Sequence, residues 1–186
     1  MKHYFWFVLF SIVYLFHAYH ERFFTLIYYT VWTFLLEIAY FGARIAKQNA
    51  VAETLWPCLF APSIVVCMGF WIIVAPVHLA AQGAGNAFLL VVTHGVNMVA
   101  TLAERKRVLT KDIWKPLLYT FVYNLFLAIY VGAGGRSISG RLPYWYAQYD
   151  VPIGWIFAAL AMSAVAIVHL MVSETPPKKA STQYIV

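Results

Sequence analysis

Charge is what this sequence has least of. Only 11% of its 186 residues are Asp, Glu, Lys or Arg, divided into 7 acidic and 13 basic side chains. A soluble globular domain carries about 25%. So little charge excludes a soluble domain of this length and leaves a single membrane domain over residues 1–172. Cysteine is nearly absent as well. Cys58 and Cys67 are the only two, and on one helix they stand about 13 Å apart along its axis. That separation excludes a disulfide between them. There is no i, i+4 histidine pair and no cluster of ligand-type side chains, so zinc, haem and iron–sulfur spacings are lacking. The sequence therefore points to no metal and no cofactor. Tandem repeats and low-complexity tracts are also missing. The formal net charge of +6 does not indicate nucleic acid, because the basic residues sit in short loops between apolar stretches. Such clusters set membrane topology or meet anionic headgroups.

What is present is apolar. Hydrophobic residues make up 63% and aromatic residues 18%, with a mean hydropathy of +0.73. Apolar runs predict an all-α bundle of about six transmembrane helices, over residues 4–19, 23–42, 55–75, 87–103, 116–132 and 153–172, followed by a polar tail, 173–186. The first run is followed by His20, Glu21 and Arg22 rather than a small-residue cleavage site, so it reads as a retained span. Pro57 and Pro62 predict a kink or a late start in the third span. Residues 77–86 form a turn without Lys or Arg, and the Gly132–Gly135 stretch stops the fifth span. Tyr144, Trp145 and Tyr146 suit a membrane interface. With six spans, ten of the thirteen basic residues fall on the side of the termini and three on the other. The positive-inside rule then puts both termini in the cytoplasm, or in the matrix of a mitochondrial inner membrane.

A few polar side chains interrupt the apolar runs. Thr30, Thr33 and Glu37 follow one helical stripe. Glu37 reads either as an interfacial carboxylate near the span end or as a pocket or interhelical hydrogen-bond group. Thr30 suits a bond to its own helix's i−4 carbonyl. His94 and Asn97, three residues apart, share a face. They read as interhelical glue or as a ligand or proton-handling site, with Asn124 available to join them. His17 and His169 lie near span ends and are expected at the interface.

Four stretches carry a resemblance: YYTVWTFLLEIAYFG at Tyr28 to Gly42, FWII at Phe70 to Ile73, THGVN at Thr93 to Asn97, and YNLFLAIYVGAGG ending at Gly135. In their order and spacing the chain resembles the androgen-induced protein and androgen-dependent TFPI-regulating protein family, with Rolling stone proteins as more distant relatives. The resemblance implies a multispan helical fold in an endomembrane or plasma membrane. Some members of that family hydrolyse fatty acid esters of hydroxy fatty acids, using a threonine nucleophile and a histidine base. The threonine falls on Thr30. The family motif His-Gly-x-His reads His94-Gly95-Val96-Asn97 here, so Asn97 occupies the base position and His94 matches the first histidine.

Asparagine cannot take a proton from threonine. His94 is offset from Asn97 by about 60° around a helix. The sequence therefore favours a non-catalytic multispan protein, an accessory or scaffolding subunit that holds lipid between its helices, with Thr33, Glu37, Asn97 and Asn124 lining the pocket. Its expected partners are membrane lipids and other membrane subunits. The alternative is a threonine-dependent lipid-ester hydrolase with Thr30 as nucleophile and His94 as base.

Overall fold

The computed structural model describes residues 1–78, 84–104, 106–144 and 146–174. Residues 79–83 of the expected turn, Arg105, Trp145 and residues 175–186 of the expected tail lie outside the described residues. The described chain is all-α, with six long helices: α1 (Lys2–Glu21), α2 (Tyr29–Ile45), α3 (Asn49–Gly69), α5 (Ala84–Ala103), α6 (Trp114–Gly132) and α7 (Pro152–Val172). A π-helical turn, Phe70–Val74, follows α3 and leads into the four-residue α4 (Ala75–His78). Two helices, Asn49–Ile73 and Pro152–Val172, are long and apolar enough to cross a membrane by themselves.

The helix limits differ from the apolar runs where local bonding decides. α2 starts at Tyr29 rather than residue 23, because Arg22–Ile27 winds as a 3₁₀ turn. There the Thr25 hydroxyl donates to the His17 carbonyl at 2.9 Å, satisfying an acceptor near the end of α1. The late start expected in the third span is not what forms. α3 begins early, at Asn49, and runs through both Pro57 and Pro62. It packs against α2, α5, α6 and α7, and such neighbours hold a helix together where proline removes a backbone bond. The irregularity appears after Gly69, in the π turn. Pro152 occupies the first turn of α7, where its missing N–H costs nothing.

Two aromatic cores result. One joins α1, α2 and α3 through Phe10, Phe34, Tyr40, Phe41 and Trp56, with Phe10 stacked on Phe41 at 6.1 Å. The other gathers Tyr123, Leu127 and Ala147, with Tyr29, Trp32 and Tyr144 packed against them.

Ion pairs collect at one end of the helices. Lys2 meets Glu104, Lys106 meets Glu53 and Arg107 meets Glu174. At the same end a short parallel pairing joins β1 (Val108–Leu109) to β2 (Ser173–Glu174). The start of α1, the start of α3, the α5–α6 connection and the end of α7 therefore meet on one side. His169, near the end of α7, is fully buried there, its Nε2 3.1 Å from the Leu109 carbonyl.

Candidate functional site: an apolar cavity beside a buried polar node

A cavity of about 670 Å³ lies among α2, α3, the π turn, α5, α6 and α7. One face of α7, from Phe157 to Val172, forms its longest wall, a stretch of about 22 Å at 1.5 Å per residue. Ile64, Val65 and Met68 of α3 and Ile72 of the π turn line it as well. Lining residues Ile72 and Met171 are 67% and 79% exposed, so the cavity opens sideways to the exterior. α7 itself has only 17% of its span buried.

Polar groups enter this wall at Tyr29, Thr30, His94, Thr120, Tyr123, Asn124 and Tyr144. Most are already engaged with the protein. Thr120 donates to the Pro116 carbonyl at 2.8 Å, so the 2.7 Å bond between Tyr29 and Thr120 has the Tyr29 hydroxyl as donor. Tyr123 donates to the Ile27 carbonyl, and the Asn124 amide donates to the carbonyl of Thr120. Tyr144 accepts from the Tyr29 backbone N–H at 3.0 Å. The His94 ring lies flat on Phe70, with centroids 4.0 Å apart and planes 10° apart.

Of the residues singled out from the sequence, Thr30, His94 and Asn124 meet on this wall. The back-bond expected of Thr30 belongs instead to Thr33, which donates to Tyr29 O at 3.0 Å. Thr30 is in the first turn of α2, and its i−4 residue, Leu26, belongs to the 3₁₀ turn. The Leu26 carbonyl accepts from Trp32 Nε1.

Thr33, Glu37 and Asn97 do not line the cavity. They are wholly buried behind it. Glu37 is the interhelical group, not the interfacial one: its Oε1 accepts from Ser63 of α3 at 3.3 Å and from Thr101 of α5 at 3.2 Å. Thr93, Asn97 and Thr101 form one buried stripe on α5. Thr93 shares a 3.3 Å hydrogen bond with the part-buried His17 of α1. The glue role expected of Asn97 has no protein partner, since neither its Oδ1 nor its Nδ2 is hydrogen-bonded.

The tyrosine hydroxyls of the wall were missed in the sequence. Tyr29, Tyr123 and Tyr144 come from separate segments, and no local spacing joins them. Ser63 and Thr101, single hydroxyls in apolar runs, gave no signal either.

Glu104, just beyond α5, holds the basic end together. Burial opposes its ionisation. The Lys2 ammonium and the Tyr40 hydroxyl, with His3 nearby, outweigh that and keep the carboxyl below its ordinary value. Among the described residues, no group of three His, Cys, Asp or Glu side chains could hold a metal ion. Comparison with protein-family models, with curated proteins and with solved structures finds no match to this chain.

Proposed function

We propose that this chain is a multi-pass membrane protein that holds an acyl-chain lipid between its helices and serves as a non-catalytic accessory or scaffolding subunit. The cavity carries this reading. Its size suits a hydrophobic ligand, its walls are overwhelmingly apolar, and it opens beside exposed aliphatic side chains. An apolar space of this kind does not hold water well, whereas a lipid chain entering from the side replaces water with dispersion contacts.

The six long helices have 17 to 21 residues, or about 26–32 Å each, near the bilayer's hydrocarbon thickness of about 30 Å. The gathering of Lys2, Lys106 and Arg107 at one end supports a cytoplasmic or matrix placement for that end. The outward-facing surface of α7 favours a partner-binding subunit over a free-standing machine.

The test is lipid retention. The protein purified in mild detergent is expected to carry lipid, measured by extraction and mass spectrometry. Ala164→Trp, which fills the cavity from α7, is expected to lose most of it. Lipid content equal in the two proteins argues against the cavity as the holding site.

A second reading rests on one observation, that Thr30 and His94 line the same cavity. In that reading Thr30 Oγ1 attacks an ester carbonyl, its proton passes by His94 to the alcohol oxygen that departs as the ester C–O bond breaks, and water then hydrolyses the acyl-threonine. A positioned base contributes about 10²–10⁴-fold. Hydrolysis of a fatty acid ester of a hydroxy fatty acid that disappears in Thr30→Ala supports this enzyme. Its absence in the unmodified protein supports the non-catalytic reading.

A further inference from the structure

The polar node behind the cavity has more acceptors than the protein satisfies. Glu37, Ser63 and Asn97 are 0% exposed and Thr101 is 1% exposed. Ser63 and Thr101 both donate a hydrogen bond to Glu37 Oε1. Glu37 Oε2, Asn97 Oδ1 and Asn97 Nδ2 have no protein partner. Buried polar atoms left unmatched are costly, and a native fold matches nearly all of them.

The helix register places these residues on adjoining turns. Glu37 bonds Thr101 and Tyr40 bonds Glu104, and each pair is separated by 64 residues. α2 and α5 therefore run parallel and in register, which sets Asn97 opposite Thr33. It stands one turn from the Glu37–Thr101 contact, on the face that carries Thr101.

No Lys, Arg or His forms an ion pair with Glu37 among the described residues. The charged group one turn away is Glu104, another carboxylate, already engaged by Lys2 and His3. A carboxylate buried in this way either takes up a proton or holds a positive partner. The hydroxyl oxygens of Ser63 and Thr101 donate their hydrogens toward Oε1 and keep lone pairs free to accept. With Glu37 Oε2 and Asn97 Oδ1 they make four oxygen donors from three helices. All-oxygen sets suit hard cations, and a single carboxylate balances a single positive charge.

We propose that Glu37, Ser63, Asn97 and Thr101 form a binding site for a small monovalent cation of sodium's class. Water in the cation's shell accepts from the Asn97 Nδ2 amide. The cation locks α2, α3 and α5 together and is independent of what occupies the cavity, since none of the four residues lines it.

The experiment is thermal unfolding of the full chain in detergent at pH 8, in sodium chloride and in choline chloride at equal ionic strength. Sodium is expected to raise Tm in a saturable way, as a ligand of the folded state must. Glu37→Gln is expected to abolish the response. Thr101→Val removes one ligand while preserving shape, and is expected to raise the half-saturating sodium concentration by about 10-fold or more. Thr101→Val carries the test if Glu37→Gln does not fold. Equal Tm in the two salts overturns the proposal, as does a sodium response that Thr101→Val leaves unchanged or that survives in Glu37→Gln. Stabilisation by acid in place of sodium also overturns it, because a proton would then be what neutralises Glu37.

Discussion

Single side chains in this protein are governed by their neighbours more than by their type. Glu104 is an example. Its carboxyl titrates below the ordinary value because Lys2, Tyr40 and His3 outweigh its burial. A carboxyl lowered in the folded state contributes stability above its unfolded value, about 4.5, and loses it as pH falls through the lowered folded value. Glu104→Gln is therefore expected to flatten the acid limb of a stability-versus-pH curve and to leave its slope above pH 6 unchanged. Chemical denaturation at a series of pH values measures this. Asn97 behaves unlike an ordinary buried amide. In choline chloride Asn97→Leu is expected to be neutral or stabilising, because it removes two unmatched polar atoms. A loss of more than about 2 kcal/mol there would point to a protein partner for the amide. Thr30, His94, Glu37, Asn97 and Asn124 were legible in the sequence as polar interruptions of apolar runs. Which of them share a site was not. Thr30, Thr33 and Glu37 follow one stripe by spacing, yet Thr30 lines the cavity while the other two are buried away from it. That division is fixed by how α2 is rotated against its neighbours.

Helices α6 and α7 were read closely from the sequence because their ends carry strong local signals. Gly132 closes α6, Gly134 beyond it adopts φ +84, and Pro152 opens α7. Such residues act through their own backbone geometry and need no tertiary partner. The late start expected of α3 failed for the opposite reason, since its prolines are tolerated through packing that sequence does not display. α7 is held at its two ends. At the start, a Cβ on Gly154 would lie 2.7 Å from the Gln148 carbonyl oxygen, so backbone would have to move. Gly154→Ala is expected to cost about 1–3 kcal/mol, read by thermal unfolding. At the other end Arg107 and Glu174 pair on the surface, 76% and 47% exposed. Arg107→Ala is expected to cost under about 1 kcal/mol. A larger loss for Arg107→Ala than for Gly154→Ala would reverse this view of how α7 is anchored.

At the scale of the whole molecule, charge separates the two ends and apolar surface fills the length between them. The asymmetry was visible in sequence as ten basic residues against three, and the ion pairs of Lys2, Lys106 and Arg107 gather the corresponding segments in space. With Cys58 and Cys67 replaced by Ala, Lys111→Cys and Ser139→Cys are expected to react with an impermeant maleimide from opposite faces of a sealed vesicle. Reaction from the same face would contradict the six-span arrangement. The cavity was not legible, because its wall joins residues from Tyr29 to Val172 and no local pattern announces a gap between helices. It is nonetheless the centre of the functional account. The most direct measurement is cross-linking with a photoreactive fatty acid in membranes, followed by peptide mapping. Adducts are expected on α3, the π turn and α7, around Met68, Ile72 and Met171, and they are expected to fall sharply in Ala164→Trp. Adducts spread equally over outward residues such as Leu15 of α1, and unchanged by Ala164→Trp, would contradict a lipid held within the bundle.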